Sequence, residues 1–122
     1  MSTSNVSVTF DVKWSRFRIP KKILYALGYP KYIQFLINID KQCFAILAVD
    51  SENSISQPHR VRADRLCSEK STYDIYSTSF LNLFSQHAKD MDRNCSYRFM
   101  GKIFEDRKAA VFSFGTMVNA SN

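Results

Sequence analysis

The sequence predicts a mainly-β domain built from two copies of one strand–strand–helix–hairpin unit. Three observations carry this expectation. Short alternating runs rich in β-branched and aromatic residues recur along the chain. Only two brief segments carry a helical apolar stripe. The same element order is readable on either side of a polar stretch at residues 51–58. The chain has 122 residues, 45% of them hydrophobic and 14% aromatic, with three glycines and three prolines. That composition suits a globular protein and excludes collagen-like and linker-like chains. The length supports one hydrophobic core and is marginal for two. The expected organisation is one domain over residues 1–122, with a first repeat at 5–50, a linker at 51–58 and a second repeat at 59–115.

Val6-Ser7-Val8-Thr9-Phe10-Asp11-Val12 alternates apolar and polar residues, which predicts a half-buried strand with Val6, Val8, Phe10 and Val12 inward. Lys13 to Arg16 reads as a basic turn. Alternation resumes at Arg16-Phe17-Arg18-Ile19, turning Phe17 and Ile19 inward and Arg16 and Arg18 outward. Pro20 fits the first position of a helix, where a missing N–H has no partner to lose. Ile23, Leu24 and Leu27 form one apolar stripe on that helix, and Gly28 suits the left-handed residue that closes it. Residues 32–39 read as a strand, Asp40-Lys41-Gln42 as a hairpin turn, and Cys43 to Val49 as the return strand.

After the linker the order recurs. Residues 60–66 can form a strand, 67–71 a polar turn, and Thr72-Tyr73-Asp74-Ile75-Tyr76 a second strand. Ser77 or Thr78 can cap a helix over 79–86 whose stripe, Phe80, Leu81 and Phe84, has the spacing of Ile23, Leu24 and Leu27. A polar loop at 88–94 precedes a hairpin of residues 97–104 and 109–114, turning at Glu105-Asp106-Arg107-Lys108. By spacing, Phe99, Phe104, Phe112 and Phe114 belong to the core.

The net charge is +6, a balance that fits an anionic partner such as nucleic acid and also fits plain solubility. The first fifty residues hold seven basic and three acidic side chains, so the excess is denser there. Cys43, Cys67 and Cys95 are odd in number and widely spaced, implying neither a CxxC site nor a disulfide framework. The polar start and the lack of a long apolar run lead to the expectation of a cytoplasmic protein with reduced thiols and no membrane association.

Lys13, Arg16, Arg18, Lys21 and Lys22 cluster on the turn, the outward strand face and the first helical turn. Charged side chains so placed can clamp phosphates, and arginine can also read guanine edges. Lys21 and Lys22 oppose the helix dipole, at a cost of about a few tenths of a kcal/mol each. A solvated basic face is the competing reading. Arg60 and Arg62 form the equivalent patch of the second repeat, diluted by Asp64 and Glu69. His59 and His87 stand outside any metal-ligand spacing, and Asp90 and Asp92 read as loop residues. No nucleophile motif, P-loop or GxGxxG is present, so no catalytic residue, metal or cofactor is expected, and a small hydrolase is the weakest class. Trp14, the lone tryptophan, could wedge against DNA or a partner, or could anchor the basic turn to the barrel.

Residues 16–28, Arg-Phe-Arg-Ile-Pro-Lys-Lys-Ile-Leu-Tyr-Ala-Leu-Gly, resemble the AbrB/SpoVT family of swapped-hairpin DNA-binding domains. That family reads as a strand, a basic turn, a strand ending in Ile-Pro, a helix ending in Leu-Gly and a β-hairpin. Residues 6–49 follow this order without a gap, and the second half follows it by element order alone. The resemblance implies that two units interlock their hairpins into one β-barrel with two short helices, here as a tandem single-chain pseudo-dimer. The chain would then be a monomeric pseudo-dimer or a homodimer. A unit of about fifty residues buries too little apolar surface alone, and interlocking also removes exposed strand edges. The resemblance further implies a non-catalytic double-stranded-DNA-binding protein, a small bacterial or phage-borne transcriptional regulator or antitoxin-type protein, with a partner protein as a further expectation. The alternative is a protein-interaction module on the same barrel that has lost DNA binding.

Overall fold

The computed structural model of the chain describes residues 5–49, 59–76, 92 and 94–120. The first alternating run forms β1 (Val6–Asp11), which turns through residues 12–15 into β2 (Arg16–Pro20). Ser15 takes the left-handed conformation, φ 50°, and its N–H donates to the Val12 carbonyl, tightening the turn. Pro20 is the last residue of β2 and the N-cap of helix α1 (Lys21–Ala26), not its first helical residue. Its φ of −55° suits either position, but its ψ of 132° is extended, because Pro20 still faces Thr72 across a strand pair. Gly28 and Tyr29 then adopt φ 87° and 55° and return N–H groups to the Tyr25 and Leu24 carbonyls. This left-handed close of the helix is what the glycine predicts.

The hairpin β3 (Tyr32–Asn38) and β4 (Cys43–Val49) falls where alternation predicts it. In the second half, β6 (Thr72–Tyr76), β7 (Ser96–Phe104) and β8 (Ala109–Ser113) also match their expected strands. The two hairpin turns are built alike. Gln42 and Lys108 have φ 50° and 49°, and their N–H groups donate to Ile39 and Glu105 three residues back.

The strand expected at 60–66 is corrected. Only His59–Arg60 pair as a strand, β5, and Ala63–Leu66 form one turn of helix, α2. The Val61 N–H is taken by the Lys31 carbonyl and the Arg62 N–H by the Tyr73 hydroxyl. The Val61 bond is the last rung toward the β3 side, and the Arg62 bond, made to a side chain of β6, ends the ladder and releases the next residues to coil. A short strand β9 (Val118–Asn119) lies beyond the expected elements. The linker at 51–58 and the helix expected at 79–86 lie outside the described residues.

All strands join one antiparallel sheet in the order β5-β3-β4-β8-β7-β1-β2-β6, with β9 on β7. The sheet curls into a half-barrel. Among the described residues no ladder joins its end strands β5 and β6, but α2 bridges the gap. Besides the Arg62–Tyr73 bond, the Arg65 guanidinium donates to the Asp74 carbonyl and lies 4.8 Å from the centre of the Tyr73 ring. Alternation sends Phe10, Phe17, Ile19, Phe44, Ile46, Phe99 and Phe112 inward, and all are essentially buried. Phe104 and Phe114 are partly buried, and Phe114 opens a 3-10 turn just past β8. The aromatic rings form a connected stack: Phe10 on Phe17 at 4.4 Å, Phe17 on Phe35 at 4.9 Å, Phe44 on Phe112 at 5.2 Å, and Phe99 edge-on to Phe44. Such pairs contribute about 0.5–1.5 kcal/mol each beyond their burial.

Candidate nucleic-acid interface

The β1–β2 corner presents its basic side chains in quite different states. Lys13 is exposed in the turn, its ammonium 5.4 Å from the centre of the Trp14 ring, and that ring is itself 60% exposed. Trp14 therefore stands out from the barrel instead of anchoring the turn. Arg16 is half-buried and committed to Asp11. Its Nε donates to Asp11 Oδ2 at 2.8 Å, and its terminal nitrogen donates to the same oxygen. Those hydrogen bonds raise the guanidinium pKa above its ordinary value, against the opposing effect of partial desolvation. Asp11 is buried and also accepts the Ser96 hydroxyl, so its carboxylate is well satisfied. Tyr76, opposite Arg16 on β6, leaves its ring largely in solvent.

Arg18 faces outward as alternation requires. Its side chain is 45% exposed, with Nε 3.7 Å from Asp74 Oδ1, a loose ion pair and not a hydrogen bond. Lys22 is exposed on α1. Lys21 is not at the surface: only 5% exposed, it donates its ammonium to the Ser68 carbonyl at 2.7 Å and the Ser68 hydroxyl at 3.0 Å. It ties α1 to the loop before β6, and its charge is not presented outward.

Arg60 and Arg62 are exposed at the far end of the strand order, on β5 and just after it. Arg62 pairs with Asp64 at 3.1 Å. Burial pushes the Asp64 carboxyl up, but the Arg62 hydrogen bond and charge outweigh it and hold the group below its ordinary value. The structure thus presents Lys13 and Arg18 on the β1–β2 hairpin and Lys22 on α1, pairs Arg16 with Asp11, turns Lys21 inside, and carries Arg62 at the α2 segment, whose backbone meets Tyr73 on β6 beside Asp74, the residue facing Arg18.

Arg98 was not readable as part of this surface. It sits on β7 and is exposed, facing Thr9 across the β1–β7 ladder, while Thr9 faces Arg18 across the β1–β2 ladder. Alternation with Tyr97 and Phe99 turns Arg98 outward, but nothing local says which strand lies beside it. A second surface feature is an open groove of about 1080 Å³ on the outer side of the hairpins, lined among others by Leu36, Cys43, Ala45, Phe104 and Val111. Among the described residues no group of three or more His, Cys, Asp or Glu could hold a metal ion, and no helix is long and apolar enough to cross a membrane. Compared with known protein families, curated proteins and solved structures, the chain matches none.

Proposed function

We propose that this chain is a non-catalytic double-stranded-DNA-binding protein of the AbrB-like kind, a transcriptional regulator or antitoxin-type protein built as a single-chain swapped-hairpin pseudo-dimer. The strand pairing supports the architecture. The first strand of each half lies beside the hairpin of the other, β1 on β7 and β3 on β5. Like elements meet across the middle, β2 on β6 and β4 on β8. The matched hairpin turns at Gln42 and Lys108 fit the same reading.

The observation that carries the functional reading is the outward row of cations on the β1–β2 corner, Lys13 and Arg18 with Lys22 beyond. The acids nearest to it, Asp11 and Asp74, are themselves buried. A rigid strand face of this kind can lie along phosphates while arginine reaches base edges, as β-ribbon readers do. The test is a salt titration of binding to labelled duplex DNA, with Arg16→Glu and Arg18→Glu combined. Loss of salt-dependent binding in the double variant supports the proposal. Absence of salt-dependent binding in the parent protein overturns it.

The protein-interaction alternative is favoured by two observations. Arg16 and Arg62 are already paired with carboxylates, and the hairpin groove exposes apolar surface, with Leu36 44% and Ile39 52% exposed. Unchanged activity of the Arg16→Glu, Arg18→Glu protein would select this reading.

A further inference from the structure

We infer that Arg18, Thr9 and Arg98 form a clamp for one backbone phosphodiester, so that the second half of the chain contributes β7 to the surface formed by the first. This inference rests on the duplex-binding reading and adds to it a specific phosphate position. The argument begins with register. Thr9 is directly opposite Arg18 on one side and Arg98 on the other, so all three side chains leave the same face of three adjacent strands. Strand spacing sets the two arginine backbones about 10 Å apart with Thr9 midway. The Arg18 guanidinium rests loosely toward Asp74, at 3.7 Å, and is free to swing over the threonine, where it and Arg98 can reach one anion between them.

Charge and hydrogen bonding agree. Asp74 lies on the outer side of Arg18, opposite it on β6, and not between the two arginines. On the outer side of Arg98 is Val118, half-exposed and apolar. Among the described residues Arg98 has no ion pair and the Thr9 hydroxyl no hydrogen-bond partner. Two like charges flanking an unengaged hydroxyl repel mildly, and an anion seated between them reverses that sign. A phosphodiester satisfies all three groups at once: two guanidinium donors and one hydroxyl donor to its two free oxygens. Lys102, exposed on the same face of β7, extends the positive surface along the strand.

The clamp is sequence-independent, so its signature is the salt slope. Each phosphate neutralised contributes a slope of about −0.9 to log K against log salt on duplex DNA. Arg98→Gln should reduce the slope by about one, so that affinity falls about three- to fourfold less between roughly 50 and 200 mM salt. The change should be equal on unrelated duplexes. Arg98→Lys should restore most of the slope, and Arg107→Gln, at the exposed β7–β8 turn, should leave it unchanged. A parent protein that binds duplex with a steep slope, and an Arg98→Gln protein with the same slope and the same melting temperature, would overturn the clamp and leave the duplex-binding reading intact. A parent protein without salt-dependent binding overturns both.

Discussion

Gly101 is the position at which adding one methyl group should cost most. It lies in β7 between Val6 on β1 and Phe112 on β8. A Cβ there would meet the Phe112 ring at 2.6 and 2.9 Å and the Val111 carbonyl oxygen closer still, whereas ordinary contact begins at 3.4 Å. The ring would have to withdraw by about 0.8 Å, and it has nowhere to go: Phe112 is fully buried and stacked on Phe44. The carbonyl belongs to a strand paired on both sides, so its movement disturbs β4 and β7 together. Overpacking of this kind costs about 1–3 kcal/mol, and the backbone clash puts Gly101→Ala at the upper end. Replacing a strand glycine returns about 0.5–1 kcal/mol of chain entropy, leaving a net loss of about 2–2.5 kcal/mol. With an unfolding entropy near 2.1 cal/mol/K per residue, a chain of this length loses about 4 °C per kcal/mol. The expected drop in Tm is therefore about 8–10 °C, read by far-UV circular dichroism. Pairing Gly101→Ala with Phe112→Leu should cost less than the sum of the two single changes, because both act on one contact. A Tm within 2 °C of the parent would refute the close approach of β7 and β8.

Two further outcomes test the rest of the structure. Lys21→Ala should lower stability by about 1.5–3 kcal/mol, the usual cost of losing hydrogen bonds from a charged group, while the salt slope of DNA binding stays unchanged; a reduced slope at unchanged stability would show that Lys21 meets phosphate instead. Asp64 has a lowered pKa in the folded protein, so the stabilisation from its pairing with Arg62 is present above 3.8 and disappears as pH falls through the folded value; Tm curves of parent and Asp64→Asn should converge in acid and separate slightly, in the parent's favour, at neutral pH, and a gap widening toward low pH would contradict the pairing.

Much of the sheet was legible because inward and outward residues alternate cleanly. Phe17 and Ile19 announce β2, and both hairpins lie where their β-formers and charged turns put them. The α2 turn was not legible. Residues 60–66 have strand-like alternation, but the Tyr73 hydroxyl, a distant partner, takes the Arg62 N–H and ends the strand early. The candidate site was legible only in part, for the same reason. Alternation turns Arg16 and Arg18 outward, yet Asp11, on the neighbouring strand, engages one and leaves the other largely exposed. Helix position alone put Lys21 in solvent, whereas its long stem reaches Ser68, forty-seven residues away. Arg98 needed the β1–β7 register, a pairing between the two ends of the chain that no local pattern encodes.

That register has a consequence for how the chain is made. Val6 pairs with Gly101, and Cys43 with Ser113. During synthesis the amino-terminal half emerges with β1 lacking one neighbour and the β3–β4 hairpin lacking the strand that covers β4. Both edges stay open until β7 and β8 have been translated, and contacts of such long separation close slowly. Nascent or truncated chains should therefore be the aggregation-prone species, with open edges available to the same edges of another copy. Fragments ending before β7 should be recovered as oligomers or inclusion material, while the chain that includes β7 and β8 covers the edges of β1 and β4 itself.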